Sequence, residues 1–146
     1  YALGPAGLVA AFDRVRNHFG LGRVAQAGAL AALEDGAWVP QVVARAEAAK
    51  ARIGRIARAN GLAPLPSATN FVAVDCRRDG AFARAVLEGL LRRGVFVRMP
   101  GVAPLDRCIR VSAGPDDALD AFEAALPGAL AEAGAWLQDH LPFAEE

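Results

Sequence analysis

Two arginines carry the strongest chemical signal in this sequence. Arg98 closes the apolar run Val95-Phe96-Val97, and Arg110 stands between Ile109 and Val111 in the middle of another. An ionised group inside an apolar strand needs a partner if it is buried. The planar guanidinium fork matches a carboxylate or phosphate through two parallel hydrogen bonds, so it is a natural reader of anionic substrates. If the two runs pair across the loop 99–106, both groups reach one rim of a sheet. Spacing alone leaves a plainer alternative open: arginines on the solvent side of a one-faced sheet. Asn70, after Ser67-Ala68-Thr69, opens a third apolar run. Its amide could sit at the same rim or satisfy the local turn.

Other reactive side chains are sparse. Lys50 is the single lysine, and its spacing puts it on the charged face of a helix. His18 lies in a loop beside Asn17 and Phe19, where an isolated histidine is expected to be incidental. His140 falls in a tail of unclear structure and is assigned no role. Cys76 and Cys108 form no C-x-x-C pair and have no histidine cluster, so two buried thiols are expected rather than a disulfide or a metal site. No glycine-rich phosphate loop stands between a strand and a helix, and no Ser/His/Asp constellation can be assembled.

A chain of 146 residues reads as one domain, or one domain with part of a second. Hydrophobic residues make up 54% and charged residues 22%, which argues for a globular core and against disorder. Sixteen basic and sixteen acidic residues cancel, leaving no field of one sign to recruit nucleic acid or an anionic membrane. Uncharged runs are interrupted, as at Pro64 and Pro66, and fall short of a membrane span. No basic, cleavable leader is visible, so a cytoplasmic protein is expected.

The elements that must position these residues follow from periodicity. Pro5 suits a first helical position, and Leu8, Ala11, Phe12 and Val15 recur at helical spacing over 5–15. A second, small-sided helix carries Val24, Ala27, Leu30 and Leu33. The longest helix is expected over about 37–60, with the stripe Val39, Val42, Val43, Ala46, Ala49, Ile53, Ile56 and a solvated face bearing Arg45, Glu47, Lys50, Arg52, Arg55 and Arg58. Asn60-Gly61 ends it. Then come a turn at 64–67, a strand over 70–75, and a helix capped by Asp79 that stops at Arg92-Arg93-Gly94. Strands are expected over 95–98 and 108–112. A last helix opens at Gly114-Pro115-Asp116-Asp117, and Pro127 is expected to kink or interrupt it. From residue 62 the order is that of an α/β sandwich with helices on one face of a small sheet.

Five segments together resemble a known family. They are Val15-Arg16-Asn17-His18-Phe19-Gly20, the stretch from Arg23 to Asp35, Pro66-Ser67-Ala68-Thr69-Asn70-Phe71-Val72, Gly94-Val95-Phe96-Val97-Arg98, and Cys108-Ile109-Arg110-Val111-Ser112-Ala113-Gly114. In this order they resemble the C-terminal part of fold-type-I pyridoxal-phosphate aminotransferases, closest to the histidinol-phosphate aminotransferase-like subgroup. The resemblance runs over residues 1–133.

It implies a division of the chain: 1–35 as a remnant of the large cofactor-binding domain, 36–61 as a connector helix, 62–133 as the small C-terminal domain, and 134–146 as a tail of unclear structure. It implies that Arg110 clamps the substrate α-carboxylate, that Arg98 helps hold a distal phosphate, and that Asn70 lies beside the site. It implies a homodimer acting on amino-acid and 2-oxo-acid substrates with pyridoxal 5'-phosphate. The family's Schiff-base lysine lies upstream of the position matching Tyr1. No catalytic, cofactor or metal residue is therefore assigned here, and the chain alone is expected to bind no cofactor and be inactive. The alternative is a free-standing ferredoxin-like amino-acid-binding or interaction module without catalysis.

Overall fold

The structure is a computed structural model and describes residues 3–140; the expectations for Tyr1, Ala2 and 141–146 lie outside the described residues. The chain divides into two compact units, Tyr1–Gln41 and Val42–Glu146.

The first unit contains α1 (Ala6–Val15) and α2 (Arg23–Glu34). Between them Asn17 shapes a turn: its Oδ1 accepts from Phe19 N at 2.9 Å and its carbonyl from Gly20 N at 3.1 Å. Neither helix buries a residue, and Leu8, Phe12, Leu30 and Leu33 are all exposed. The division falls inside α3 (Trp38–Ala59), whose N-terminal Val39, Val42 and Val43 are exposed.

In the second unit the rest of α3 joins a three-stranded antiparallel sheet and two more helices. The strands are β1 (Ala63–Pro64), β2 (Phe71–Asp75) and β3 (Cys108–Ser112), in the order β1-β2-β3. The helices are α4 (Gly80–Arg92) and α5 (Asp116–His140). Alternation along β2 sends Val72 and Val74 into the core, and β3 adds Ile109 and Val111. Ile53 and Ile56 of α3, Val86 and Leu90 of α4, and Leu119, Phe122 and Leu126 of α5 complete that core. Helices thus cover one face of the sheet, as the sequence pattern predicts. α4 starts where Asp79 accepts from Phe82 N at 2.8 Å, and the chain leaves it through Gly94 at φ 78°, a left-handed exit that favours glycine.

Three local expectations are corrected. Residues 95–98 alternate like a strand, with Val95 and Val97 buried and Phe96 exposed, yet they contribute a single bridge at Arg98. Val95 and Val97 are buried as members of the common core cluster rather than of a ladder. The turn at 64–67 is entered through the short edge strand β1, which ends at Pro64. Pro127 does not end the last helix, which runs on through part of the supposed tail to His140. A proline inside a helix costs ~3 kcal/mol, but Leu126, Ala129 and Ala133 on the same helix are fully buried and hold it in place. α4 and α5 approach closely at Gly89, where an added Cβ would lie 3.1 Å from Ala129 Cα.

Arg52 joins α3 to α5, with Nη2 2.6 Å from both Asp120 Oδ1 and Glu123 Oε2. Among the described residues no helix is long and apolar enough to cross a membrane.

Candidate functional site

Arg110 occupies the centre of β3, opposite Ala73 of β2. Its backbone bonds run the other way, to Arg98: Arg110 N donates to Arg98 O at 2.6 Å, and Arg98 N to Arg110 O at 3.2 Å. The two arginines are therefore a directly opposed antiparallel pair on the edge of β3 away from β2, and their side chains share a sheet face. That face is the one opposite the core that the sheet forms with α3, α4 and α5. It carries Phe71, Ala73 and Asp75 of β2, all half-buried, with Arg110 half-buried and Arg98 exposed.

Like charges directly opposite each other destabilise a sheet unless something compensates. Arg110 finds a partial remedy: its guanidinium carbon lies 4.7 Å from the centroid of the Phe71 ring. A ring face attracts a cation by about 0.5–1 kcal/mol at such a half-open site and leaves the N–H fork free. Among the described residues neither Arg110 nor Arg98 has a carboxylate partner. Both keep donors to offer an anion.

The one acid of β2 on this face is already engaged. Asp75 Oδ1 accepts from Arg77 N at 2.7 Å and from Arg107 Nε at 2.9 Å, and its Oδ2 accepts from Arg107 Nη2 at 2.5 Å. The Arg107 hydrogen bonds hold the Asp75 carboxyl below its ordinary range, against the opposing push of desolvation. Sequence reading missed Asp75 and Arg107. The signal available was alternation, which places Asp75 on the same face as Phe71.

Asn70 lies one residue before β2. Its carbonyl accepts from Ala113 N at 2.8 Å, extending the ladder to the end of β3. Asn70 is exposed, in the bend that precedes β2. The structure thus brings Arg98 and Arg110 together and leaves Asn70 at the end of the sheet. His18 is exposed in the turn of the first unit.

Lys50 departs from its expected place on a solvated face. It is buried, with Nζ donating to Ser67 O at 2.9 Å and lying 2.8 Å from Glu47 Oε1. The reason is tertiary: the turn at 64–67 closes over that side of α3, so the ammonium meets a backbone carbonyl instead of water. A cavity of about 310 Å³ there is lined by Glu47, Lys50, Arg58, Pro64 and Ser67.

Cys76 and Cys108 are buried and unpaired, as expected. Desolvation pushes the Cys76 thiol up to about 12 and raises that of Cys108 as well, which makes both poor nucleophiles. Among the described residues no group of acids, histidines and cysteines could hold a metal ion. The residues do not fit a site of attachment for pyridoxal phosphate either. A Schiff base needs a lysine with a free amine, and Lys50 spends its ammonium on Ser67 and Glu47.

The chain is similar to known proteins over most of its length. No protein-family model matches it. It is 40% identical over 124 residues to histidinol-phosphate aminotransferase 1 of Mesorhizobium japonicum, covering 85% of this chain and 33% of that protein. It is 36% identical over 131 residues to histidinol-phosphate aminotransferase 2 of Pseudomonas aeruginosa, covering 90% of this chain and 35% of that protein. The crystal structure of histidinol-phosphate aminotransferase from Sinorhizobium meliloti in complex with pyridoxal-5'-phosphate superposes with a TM-score of 0.82 at 52% identity, covering 86% of this chain and 34% of that one. The chain spans about a third of the length of the relatives it matches. In sequence and in fold it is homologous to the C-terminal part of the pyridoxal-phosphate-dependent histidinol-phosphate aminotransferases.

Proposed function

We propose that this chain is the C-terminal part of an aminotransferase that moves an amino group between an amino-acid-like donor, histidinol phosphate being the foremost candidate, and a 2-oxo acid. Its part in that reaction is to receive the anionic end of the substrate. Arg110 grips a carboxylate wherever the substrate has one, and Arg98 helps hold the phosphate of a phosphorylated donor. Asn70 borders the site from the end of the sheet. The cofactor chemistry belongs to polypeptide outside these 146 residues, and the whole enzyme works as a cytoplasmic homodimer. The observation that carries this reading is the pair Arg98 and Arg110, opposed on one open face with no carboxylate partner among the described residues. The names of the relatives support the reaction class.

The test is Arg110→Ala in the longer protein that contains this chain. Loss of charge-assisted hydrogen bonds predicts a KM for the 2-oxo acid raised roughly 10- to 100-fold. An unchanged KM for both substrates would remove Arg110 from the site. The 146-residue chain, supplied with pyridoxal phosphate, is expected to show no transamination.

A further inference from the structure

Arg110 has two diagonal neighbours on β2, one to either side of the small Ala73: Phe71 and Asp75. Diagonal neighbours across antiparallel strands lie about 7–8 Å apart, within reach of a side chain as long as arginine's. On charge alone Asp75 is the stronger attraction. The observed choice is the opposite: the guanidinium stands over the Phe71 ring at 4.7 Å, and Asp75 is held by Arg107. Arg107 reaches Asp75 because Cys76 N donates to Arg107 O at 3.1 Å, which continues the β2–β3 pairing past the end of β3. With Arg77 N also on Oδ1, Asp75 has three donors and no strong need of a fourth.

We propose that Arg107 is a positioning residue for Arg110: by occupying Asp75 it keeps that carboxylate from capturing the Arg110 guanidinium, which stays over Phe71 with its fork open to an incoming anion. This rests on the reading of Arg110 as the substrate-anion residue, but the steering itself is a separate physical statement. Remove Arg107 and Oδ2 of Asp75 loses its partner. Arg110, its diagonal neighbour across the ladder, is then a cation within reach on the same face. An internal carboxylate becomes a competitor for the place that a substrate anion takes. The predicted loss is chiefly one of anion binding, because Arg107 keeps 48% of its side-chain surface accessible and such an exposed pair adds only a little to stability.

The test uses the 146-residue chain labelled with ¹⁵N, reading the Arg110 Nε–H resonance, with inorganic phosphate and acetate as anion probes. In the parent chain the resonance is displaced by the Phe71 ring. In Arg107→Ala it moves away from that position toward that of a carboxylate-bound guanidinium, and both anions bind about three- to tenfold more weakly. Adding Asp75→Asn to Arg107→Ala returns the resonance and the affinities toward the parent values. An Arg110 resonance unmoved in Arg107→Ala overturns the proposal. So does an equal displacement in Arg107→Ala and in the double variant, because then Asp75 is not the competitor. Should the resonances behave as expected while neither anion binds the parent chain, the steering stands and the anion-receiving reading of Arg110 falls.

Discussion

The ammonium of Lys50 donates to the carbonyl of Ser67 at 2.9 Å, joining α3 to the turn that leads into β2. The same Ser67 then turns its hydroxyl to the Phe71 carbonyl at 2.5 Å and accepts from Thr69 N at 3.2 Å. The lysine therefore fixes the entry to the strand that carries the ring beneath Arg110. Lys50→Ala is expected to lower the unfolding free energy by about 1–3 kcal/mol, the usual range for orphaning a buried acceptor of a charge-assisted bond. Lys50→Met, which keeps the apolar stem, should lose less than Lys50→Ala. Denaturant midpoints of the two variants check this. The Glu47 contact adds little, since Glu47 is 64% exposed.

Arg98 is exposed and, among the described residues, has no ring beneath it, unlike Arg110. In the longer protein Arg98→Ala is expected to raise KM for a phosphorylated donor by roughly tenfold and to leave non-phosphorylated donors within about twofold. Steady-state kinetics with paired donors, alike except for the phosphate, distinguishes this from general positioning. An equal loss for both would mean that Arg98 does not read the phosphate.

Acid should destabilise the second unit in part through Asp75 and Glu132. Hydrogen bonds from Arg107 lower the first from its ordinary 3.8, and those from Arg93 and Arg92 lower the second from 4.5. A carboxylate whose folded value lies below its unfolded one contributes stability above the unfolded value and loses it as pH falls through the folded one. Thermal melts between pH 5 and pH 2 should therefore slope downward below the ordinary values. Asp75→Asn and Glu132→Gln should each flatten that slope.

The two thiols should behave oppositely to surface cysteines. With Cys76 raised to about 12, alkylation at pH 8 is expected to be slow in the folded chain and fast once it unfolds. The linked stability is fully present below the ordinary value of 9.0 and is lost as pH rises through about 12. Mass-spectrometric counting of labelled cysteines against denaturant follows it.

Gly89 of α4 is expected to refuse a methyl group. Alanine gains up to about 1 kcal/mol of helix propensity. Against this, the new Cβ would stand 3.1 Å from both Cα and Cβ of Ala129, a clash worth roughly 1–3 kcal/mol in a packed interior. Gly89→Ala should therefore lose about 1 kcal/mol net. Gly28→Ala in α2, where nothing lies within 4 Å, should gain about 0.5–1 kcal/mol. Paired unfolding curves read both.

Much of the architecture was legible from periodicity. Val72, Val74, Ile109 and Val111 alternate as half-buried strands do, and Asp79 and Gly94 mark the ends of α4 before any coordinate is known. The central position of Arg110 was legible as well. Its freedom from an acid was not, because that depends on Arg107 taking Asp75 across strands 32 residues apart. Lys50 misled for a related reason: helical spacing reports a face, but not the turn at 64–67 that folds over it. Residues 95–98 show the converse limit. Their alternation is real, but one bridge satisfies it, and only pairing partners distinguish a strand from an extended segment. Pro127 breaks a local rule that the burial of Leu126 and Ala129 overrides.

The double backbone bond between Arg98 and Arg110 has a bearing on where charge gathers. Because each residue's amide holds the other's carbonyl, the two side chains are rooted about 5.5 Å apart on one face. Two positive charges so rooted attract a visitor that brings two negative charges more strongly than one that brings a single charge.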